Sequence, residues 1–122
     1  DGKPDISLSS DPAFRGDKTK HNPEELLLAS VSSCHMLWYL HLCAVAGVDV
    51  LAYEDSPSGI MIENEDGSGQ FTEITLQPSI VLSDENMRLK ADELHEKANK
   101  NCFIANSCNF PIHHKAIYHV RD

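Results

Sequence analysis

The chain has 122 residues, of which 41% are hydrophobic and 24% are charged. This composition is typical of one folded globular domain and excludes a chain that is disordered throughout. Acidic residues outnumber basic ones 19 to 10, which gives a formal net charge of −9. Nucleic acids and anionic membrane surfaces attract clustered lysine and arginine, so the charge argues against both as partners.

A long helix is predicted over residues 22–46. Asn22 is a favourable N-cap, Pro23 suits the first helical position, and Gly47 suits the residue that ends the helix. Apolar residues lie on most sides of this helix, and polar residues interrupt them, which predicts a buried core helix and not a membrane span. So short a chain has little material to cover such a helix, so we expect a second subunit to supply the remaining cover.

Strands are predicted on either side of a turn-rich stretch within residues 48–82. Three candidate segments lie at 48–54, 59–63 and 70–82. Polar and apolar residues alternate in the third segment, and Pro78 inside it suggests an edge strand or a bulge. We expect these strands to form an antiparallel meander with one solvent-exposed face. A further short strand is expected near Ile6 and Leu8, in a first segment otherwise rich in turns.

A second, amphipathic helix is predicted to begin at Ser83 or Asp84, with an apolar stripe that continues to Cys102. A short apolar segment over 103–105 and a last strand over 112–120 follow. The elements predict an α+β fold in which an antiparallel sheet packs around a long buried central helix and a second helix. Residues 1–122 are expected to form one domain.

Four cysteines stand at positions 34, 43, 102 and 108, and none of them forms a Cys-x-x-Cys pair. Each is compatible with a packed core thiol. A reactive Cys34 would need a nearby cation to favour its thiolate. The candidates for that cation are Arg15, Lys18, Lys20 and His35. Either Cys102 or Cys108 could capture an oxidised Cys34, whereas Cys43 lies about 13 Å farther along the same helix.

Two segments of the chain resemble the OsmC/Ohr family of thiol-dependent hydroperoxide reductases. One is Asn22-Pro-Glu-Glu-Leu26, followed in the same helix by Cys34, and the other is the helix end Ala98-Asn-Lys-Asn-Cys102. The segment with Phe14-Arg-Gly16 is similar to the family's approach to the first motif. The resemblance extends from about Phe14 to the C-terminal strand. It implies an OsmC-like fold in an intertwined two-fold dimer, with the N-terminal strands incomplete in residues 1–122.

The resemblance also implies a reaction. Cys34 is similar to the family's peroxidatic cysteine and Cys102 to its resolving cysteine. Glu24 matches the acid of the first motif, and Arg15 would be the arginine that stabilises the thiolate and binds the peroxide. The implied enzyme is a cytoplasmic peroxidase that reduces organic hydroperoxides, and in addition hydrogen peroxide, without a cofactor or metal. A dithiol, such as that of a lipoylated protein, would reduce the resulting disulfide.

The spacing of Glu24 and Cys34 points to a homodimer on separate grounds. Ten residues span about 15 Å of a helix, too far for both side chains to touch one small peroxide. If two copies of the helix cross antiparallel about a two-fold axis, Glu24 of one chain approaches Cys34 of the other. We therefore expect a site that two subunits share.

Two alternatives to a peroxidase use the same cysteine. A non-catalytic redox-sensing or small-ligand-binding module of the same fold would leave Cys34 and Cys102 unlinked after exposure to peroxide. A Cys–His hydrolase would use His35 beside Cys34. Adjacent side chains diverge on a helix, however, and no acid is evidently placed to orient this histidine.

A metal site is a third alternative, because the chain has seven histidines and four cysteines. Its candidate ligands are Cys34, His35, His113, His114 and His119. Their spacing does not match the usual patterns of a zinc site. Histidines on the surface of the last strand are the simpler interpretation.

Overall fold

The computed structural model describes residues 1–121 and has the predicted α+β fold. Its helices and strands, in chain order, are α1 (Pro23–Ala46), β1 (Val50–Asp55), β2 (Ser58–Glu63), β3 (Gly69–Leu76), β4 (Pro78–Leu82), α2 (Arg88–Asn101), α3 (Phe103–Asn106), β5 (Ile112–His114) and β6 (Ile117–Val120). The short strand expected near Ile6 is reduced to one bridge between Leu8 and His21. A 3-10 turn capped by Asp84 precedes α2, so this helix begins at Arg88, later than predicted.

Helix α1 begins and ends where the sequence predicts. The Asn22 side chain accepts the Glu25 backbone N–H at 2.9 Å, and the Glu25 carboxylate accepts the Asn22 backbone N–H at 3.1 Å. These two bonds form a capping box. Gly47 ends the helix in the left-handed region, at φ 78°. By length and apolar composition α1 would suffice to cross a membrane. Its buried side chains instead pack inside the protein: Val31, His35, Tyr39, Leu42 and Cys43.

Replacing the N-cap by Asn22→Ala is expected to lower the free energy of unfolding by about 1 kcal/mol. The variant loses the bond to the Glu25 N–H, and Asn22 is only 4% exposed, so water replaces that bond poorly. Urea denaturation followed by circular dichroism measures the change. Asn109→Ala, at an exposed loop position, is the matched control and should leave the urea midpoint in place. Equal midpoints for the two variants would contradict this account of the cap.

The strands form two three-stranded sheets, in the orders β1-β4-β6 and β2-β3-β5. The β1–β4 and β2–β3 pairs are antiparallel, whereas β5 and β6 join β3 and β4 in parallel. The single antiparallel meander expected over residues 48–82 is therefore wrong in its connections. The predicted strand 70–82 divides at Gln77, and Pro78 begins the second piece. Because proline has no N–H to donate, it is tolerated at the first residue of a strand.

Three short connections lead directly from one sheet to the other, at residues 56–57, 77 and 115–116, and we call the boundary that they cross the crease. Asp55 lies at this crease. One of its carboxylate oxygens accepts the Gln77 backbone N–H at 2.7 Å, and the other accepts the Ser32 hydroxyl of α1 at 2.5 Å. The carboxylate thus satisfies an amide that the sheets leave unpaired and fixes the crease to the middle of α1.

Helix α1 contributes to two hydrophobic clusters. Its C-terminal half packs with α2 and the β1-β4-β6 sheet, around Tyr39, Ile80 and Leu82. Its N-terminal half packs on the β2-β3-β5 sheet, around Ile74 and Leu76. The clusters cover α1 on the sides that face α2 and the sheets, but Leu37 and Val45 remain 64% and 75% exposed.

Candidate active site

Two of the four residues predicted for the site lie together. Cys34, in the middle of α1, contacts Cys102, the residue that joins α2 to α3. Cys34 is half-buried and Cys102 is fully buried. Both are free thiols. The two cysteines are 68 positions apart in the sequence, and the packing of α2 against α1 brings them together.

The two thiols differ in their chemistry. Burial raises the pKa of Cys102 to about 11, and the neighbouring Cys34 contributes to the same shift. At neutral pH Cys102 is therefore a protonated thiol shielded from solvent. Its sulfur also accepts the Ala105 backbone N–H at 3.4 Å, where α3 begins. Because Cys34 has the more accessible sulfur, a dissolved oxidant meets Cys34 first and Cys102 afterwards.

The other two cysteines face different surroundings. Cys108 donates to the Ile104 carbonyl at 3.3 Å and packs against the cluster around Ile74. Cys43 is buried in the cluster of Tyr39. Burial raises the pKa of both thiols. The sequence left Cys102 and Cys108 open as partners of Cys34, and the geometry favours Cys102.

Glu24 and the loop of Arg15 lie apart from the two thiols. Glu24, in the first turn of α1, lines a cavity of about 500 Å³ together with Asp11 and Phe14. Arg15 follows Phe14 directly, with a left-handed φ of 65°. The described residues that line this cavity include neither of the two cysteines. Within one chain the predicted site therefore divides into two halves.

The loop that carries Arg15 is tightly folded. A Cβ added at Gly16 would lie 1.5 Å from the Ser10 carbonyl oxygen, so only glycine fits there. Asp11 stabilises the same turn, because its carboxylate accepts the Ala13 N–H at 2.8 Å. The backbone therefore fixes where Arg15 leaves the loop. Much of the adjoining cavity wall is apolar, and its apolar members include Phe14, Met61, Ile62 and Phe71.

A buried histidine pair that the sequence did not predict lies beside this site. His35 Nε2 and His95 Nδ1 lie 2.9 Å apart, with the two rings within 2° of coplanar. The rings are 1% and 0% exposed. His95 stacks on Tyr39 at 3.9 Å, and His114 lies 5.9 Å from His35 and 5.5 Å from His95 between ring centroids. The sequence signal that could have revealed the pair is the position of each histidine on the buried face of its helix.

The shared hydrogen bond leaves two ring nitrogens without partners. His35 Nδ1 and His95 Nε2 have no hydrogen-bond partner within residues 1–121. Whichever ring donates, one of the two orphan nitrogens is an unpaired N–H and the other an unpaired acceptor. Each unsatisfied buried group of this kind costs about 1–3 kcal/mol.

Both rings are neutral at pH 7. Burial, and less strongly the neighbouring His114, lowers the pKa of His35 to about 4. Burial, followed by His35 and His114, lowers the pKa of His95 to about 3. His35 was one of the candidate cations for Cys34, and its lowered pKa argues against that role, because the ring is neutral at pH 7. A Cys–His hydrolase is disfavoured too, since His35 directs Nε2 at His95.

The remaining candidate metal ligands are dispersed. His113 pairs with Glu73 and His114 with Glu96, each at 3.2 Å. The predicted strand 112–120 breaks at residues 115–116, which places His113 and His119 in different sheets. Within residues 1–121 no group of three or more His, Cys, Asp or Glu side chains is arranged to hold a metal ion.

Comparison with known proteins agrees with the fold and with the motifs. Residues 16–116 match the family model described as OsmC-like protein. An OsmC-like protein of unknown function from Vibrio cholerae is 32% identical, with a TM-score of 0.86 over 96% of this chain and 80% of that one. No curated protein shows significant sequence similarity to the chain.

Two more distant structures share the fold. An organic hydroperoxide resistance protein from Legionella pneumophila is 16% identical, with a TM-score of 0.67 over 94% of this chain and 81% of that one. One from Elizabethkingia anophelis is 20% identical, with a TM-score of 0.69 over 92% and 78%. At these identities the likeness concerns the fold alone. The family match and the Vibrio cholerae structure go further: the chain belongs to the OsmC-like protein family.

Proposed function

We propose that this protein is a thiol-dependent peroxidase that reduces organic hydroperoxides through Cys34 and Cys102. The observation that carries the proposal is the contact between a half-exposed thiol and a fully buried one. The Cys34 thiolate attacks one oxygen of the O–O bond, and the other oxygen leaves with its organic group and takes a proton to become an alcohol. Cys34 is thereby oxidised to a sulfenic acid.

The second step protects that sulfenic acid. The Cys102 sulfur forms a bond with the Cys34 sulfur, the S–O bond breaks, and water leaves. An external dithiol then reduces the disulfide by exchange. Because the four cysteines are free thiols, we place the cycle in a reducing compartment such as the cytoplasm, with a lipoylated protein as a candidate reductant.

We further propose that two subunits complete each site. In one chain Glu24 stands about 15 Å from Cys34 along a continuous helix. An antiparallel partner would bring its Glu24 and Arg15 to Cys34, where the guanidinium favours the thiolate and the leaving oxygen. The same arrangement would cover Leu37 and Val45, which one chain leaves exposed. The apolar wall of the Glu24 cavity favours an organic hydroperoxide, whose organic group can pack against it, over hydrogen peroxide.

The names of two structural relatives agree with this activity. The Legionella pneumophila and Elizabethkingia anophelis proteins are described as organic hydroperoxide resistance proteins. Their identities to this chain are 16% and 20%, so the likeness shows a shared fold, and the proposed reaction rests on the two thiols of this chain.

Thiol counting after one equivalent of cumene hydroperoxide tests the proposal. We expect the fully reduced protein to lose two of its four thiols and mass spectrometry to find a Cys34–Cys102 link. Cys34→Ser should abolish the loss, whereas Cys43→Ser, the matched control in the same helix, should retain it. A link to Cys108 would reassign the resolving role. Four intact thiols would contradict the peroxidase and favour a sensing or ligand-binding module.

A further inference from the structure

Three pairs of residues connect α1 with the α2 segment, and the last of them is the pair of reactive thiols. As the residue number falls along α1 it rises along α2, because the two helices run antiparallel. The three pairs are, in sequence, Tyr39–Ala91, His35–His95 and Cys34–Cys102. The first is a hydrogen bond of 2.8 Å from the tyrosine hydroxyl to a backbone carbonyl, and the second is the 2.9 Å bond between the histidines. The cysteine pair therefore lies at the end of a polar seam between the two helices.

The histidine pair is the part of this seam that resists sliding most. Apolar side chains tolerate small shifts of one helix along another, whereas a coplanar hydrogen bond between two rigid, buried rings does not. A slide of α2 by one residue would carry Cys102 about 1.5 Å along the helix axis. A displacement of that size costs on the order of 100-fold in a reaction that needs two atoms in near-attack contact.

Stability alone does not explain the pair. Each tautomer leaves one donor and one acceptor unsatisfied in the interior, and two apolar side chains would avoid that penalty. Buried polar contacts of this kind are best attested where they fix the register of packed helices. His35 is adjacent to Cys34, and His95 lies two helical turns before Cys102. A hydrogen bond that fixes how α2 is aligned with α1 at the histidines therefore also fixes how the two cysteines are aligned.

We propose that His35 and His95 are positioning residues whose hydrogen bond sets the register of α2 on α1 and so holds the Cys102 sulfur against Cys34. The use of this register in turnover rests on the proposed function. The step it serves is the condensation of the Cys34 sulfenic acid with the Cys102 thiol to give a disulfide and water. Neither histidine exchanges atoms with the reactants.

Paired substitutions test the role of the hydrogen bond. His35→Leu with His95→Leu removes both bonding nitrogens and keeps apolar volume. His35→Gln with His95→Asn retains them, because the glutamine amide lies near the position of Nε2 and the asparagine amide near that of Nδ1. The exposed His119→Leu is the control. Each full-length protein is equilibrated in glutathione redox buffers, and the Cys34–Cys102 disulfide is quantified by mass spectrometry.

The leucine pair should lower the equilibrium constant for the disulfide by about tenfold or more, and the amide pair should stay within about threefold of wild type. Wild-type values in a folded leucine pair, or equal losses in both pairs, would overturn the proposal. If circular dichroism shows that the leucine pair is unfolded, His95→Asn and His95→Gln replace it. Asparagine should retain the wild-type constant and glutamine should not, and equal constants would overturn the proposal.

These measurements need no peroxide, so they are independent of the proposed reaction. A wild-type protein that forms the disulfide in glutathione but ignores cumene hydroperoxide would contradict the peroxidase and leave the positioning role supported. In the peroxide reaction, the leucine pair should form its sulfenic acid at the wild-type rate and lose it to a disulfide more slowly. A slower first step in that pair would contradict a role confined to position.

Discussion

A heterodimer of one Arg15→Ala chain and one Cys34→Ser chain is expected to have about half of the wild-type peroxidase activity. Each variant alone should be inactive or nearly so, with Arg15→Ala reduced on the order of 100-fold because the thiolate loses its cation. The heterodimer regains one complete site, in which the intact Arg15 of one subunit faces the intact Cys34 of the other. Two affinity tags on co-expressed chains isolate it, and consumption of cumene hydroperoxide with a dithiol measures its activity.

The matched control replaces Arg15→Ala by Lys18→Ala, which removes a cation from the same loop. The Lys18→Ala homodimer should keep the wild-type activity, and its heterodimer with Cys34→Ser should have about half, because that dimer has one intact Cys34. An inactive Arg15→Ala heterodimer would show that Arg15 does not act across a subunit interface. Elution of the wild-type protein as a monomer at all concentrations would contradict the shared site itself.

Acid is expected to destabilise the protein over a range of pH set by the buried histidine pair. Burial holds the pKa of His35 near 4 and that of His95 near 3, below the value of about 6.5 in an unfolded chain. The unfolded state therefore binds up to two more protons as the pH falls below 6.5. The histidine pair leaves the free energy of unfolding at its full value above that pH. Towards pH 4 this free energy declines by at most about 3 kcal/mol per pH unit.

Urea midpoints at half-unit steps of pH test this expectation, and the pair His35→Gln with His95→Asn is its control. These amides keep the hydrogen bond but do not titrate, so most of the slope between pH 6.5 and 4 should disappear. Asp17, Asp66 and Glu85 have pKa values lowered by hydrogen bonds, and their contribution is lost at lower pH. An unchanged slope in the amide pair would assign the acid sensitivity to other groups.

The sequence predicts α1 better than any other element, because the signals for that helix are local. Asn22, Pro23 and Gly47 act through the backbone within one turn, and the structure reproduces the capping box and the left-handed end. The contact of Cys34 with Cys102 followed from a family resemblance. Spacing alone gave no distance between residues on different elements. Their catalytic roles, like those of Arg15 and Glu24, remain predictions.

The strand connections could not be read in the same way. Residues 70–82 have one continuous alternation of polar and apolar side chains, yet the chain changes sheets at Gln77. Alternation reports which face of a strand is buried and says nothing about which strand is its neighbour. The parallel pairs Ile74–Ile112 and Leu82–Val120 join distant parts of the sequence, so no local pattern announces them.

The histidine pair was missed for a related reason. A histidine at a buried position looks, in sequence, like a polar interruption of an apolar stripe. His35 and His95 become a feature only when α2 packs on α1, and His114 joins them from a strand that the sequence predicts to be surface. That residues 1–122 form one domain also remains a prediction.

Because the C-terminal segment crosses the crease, it contributes a strand to both sheets and so affects the folding of the whole chain. The antiparallel pairs β1–β4 and β2–β3 each supply two strands of one sheet, and a single stretch from Ile112 to Val120 adds the third strand to both. Its docking closes the longest loops in either sheet, so we expect it to dock late and slowly during folding. Since neither sheet is complete without this segment, the two halves of the protein should melt together, in one cooperative transition, although their hydrophobic clusters are separate.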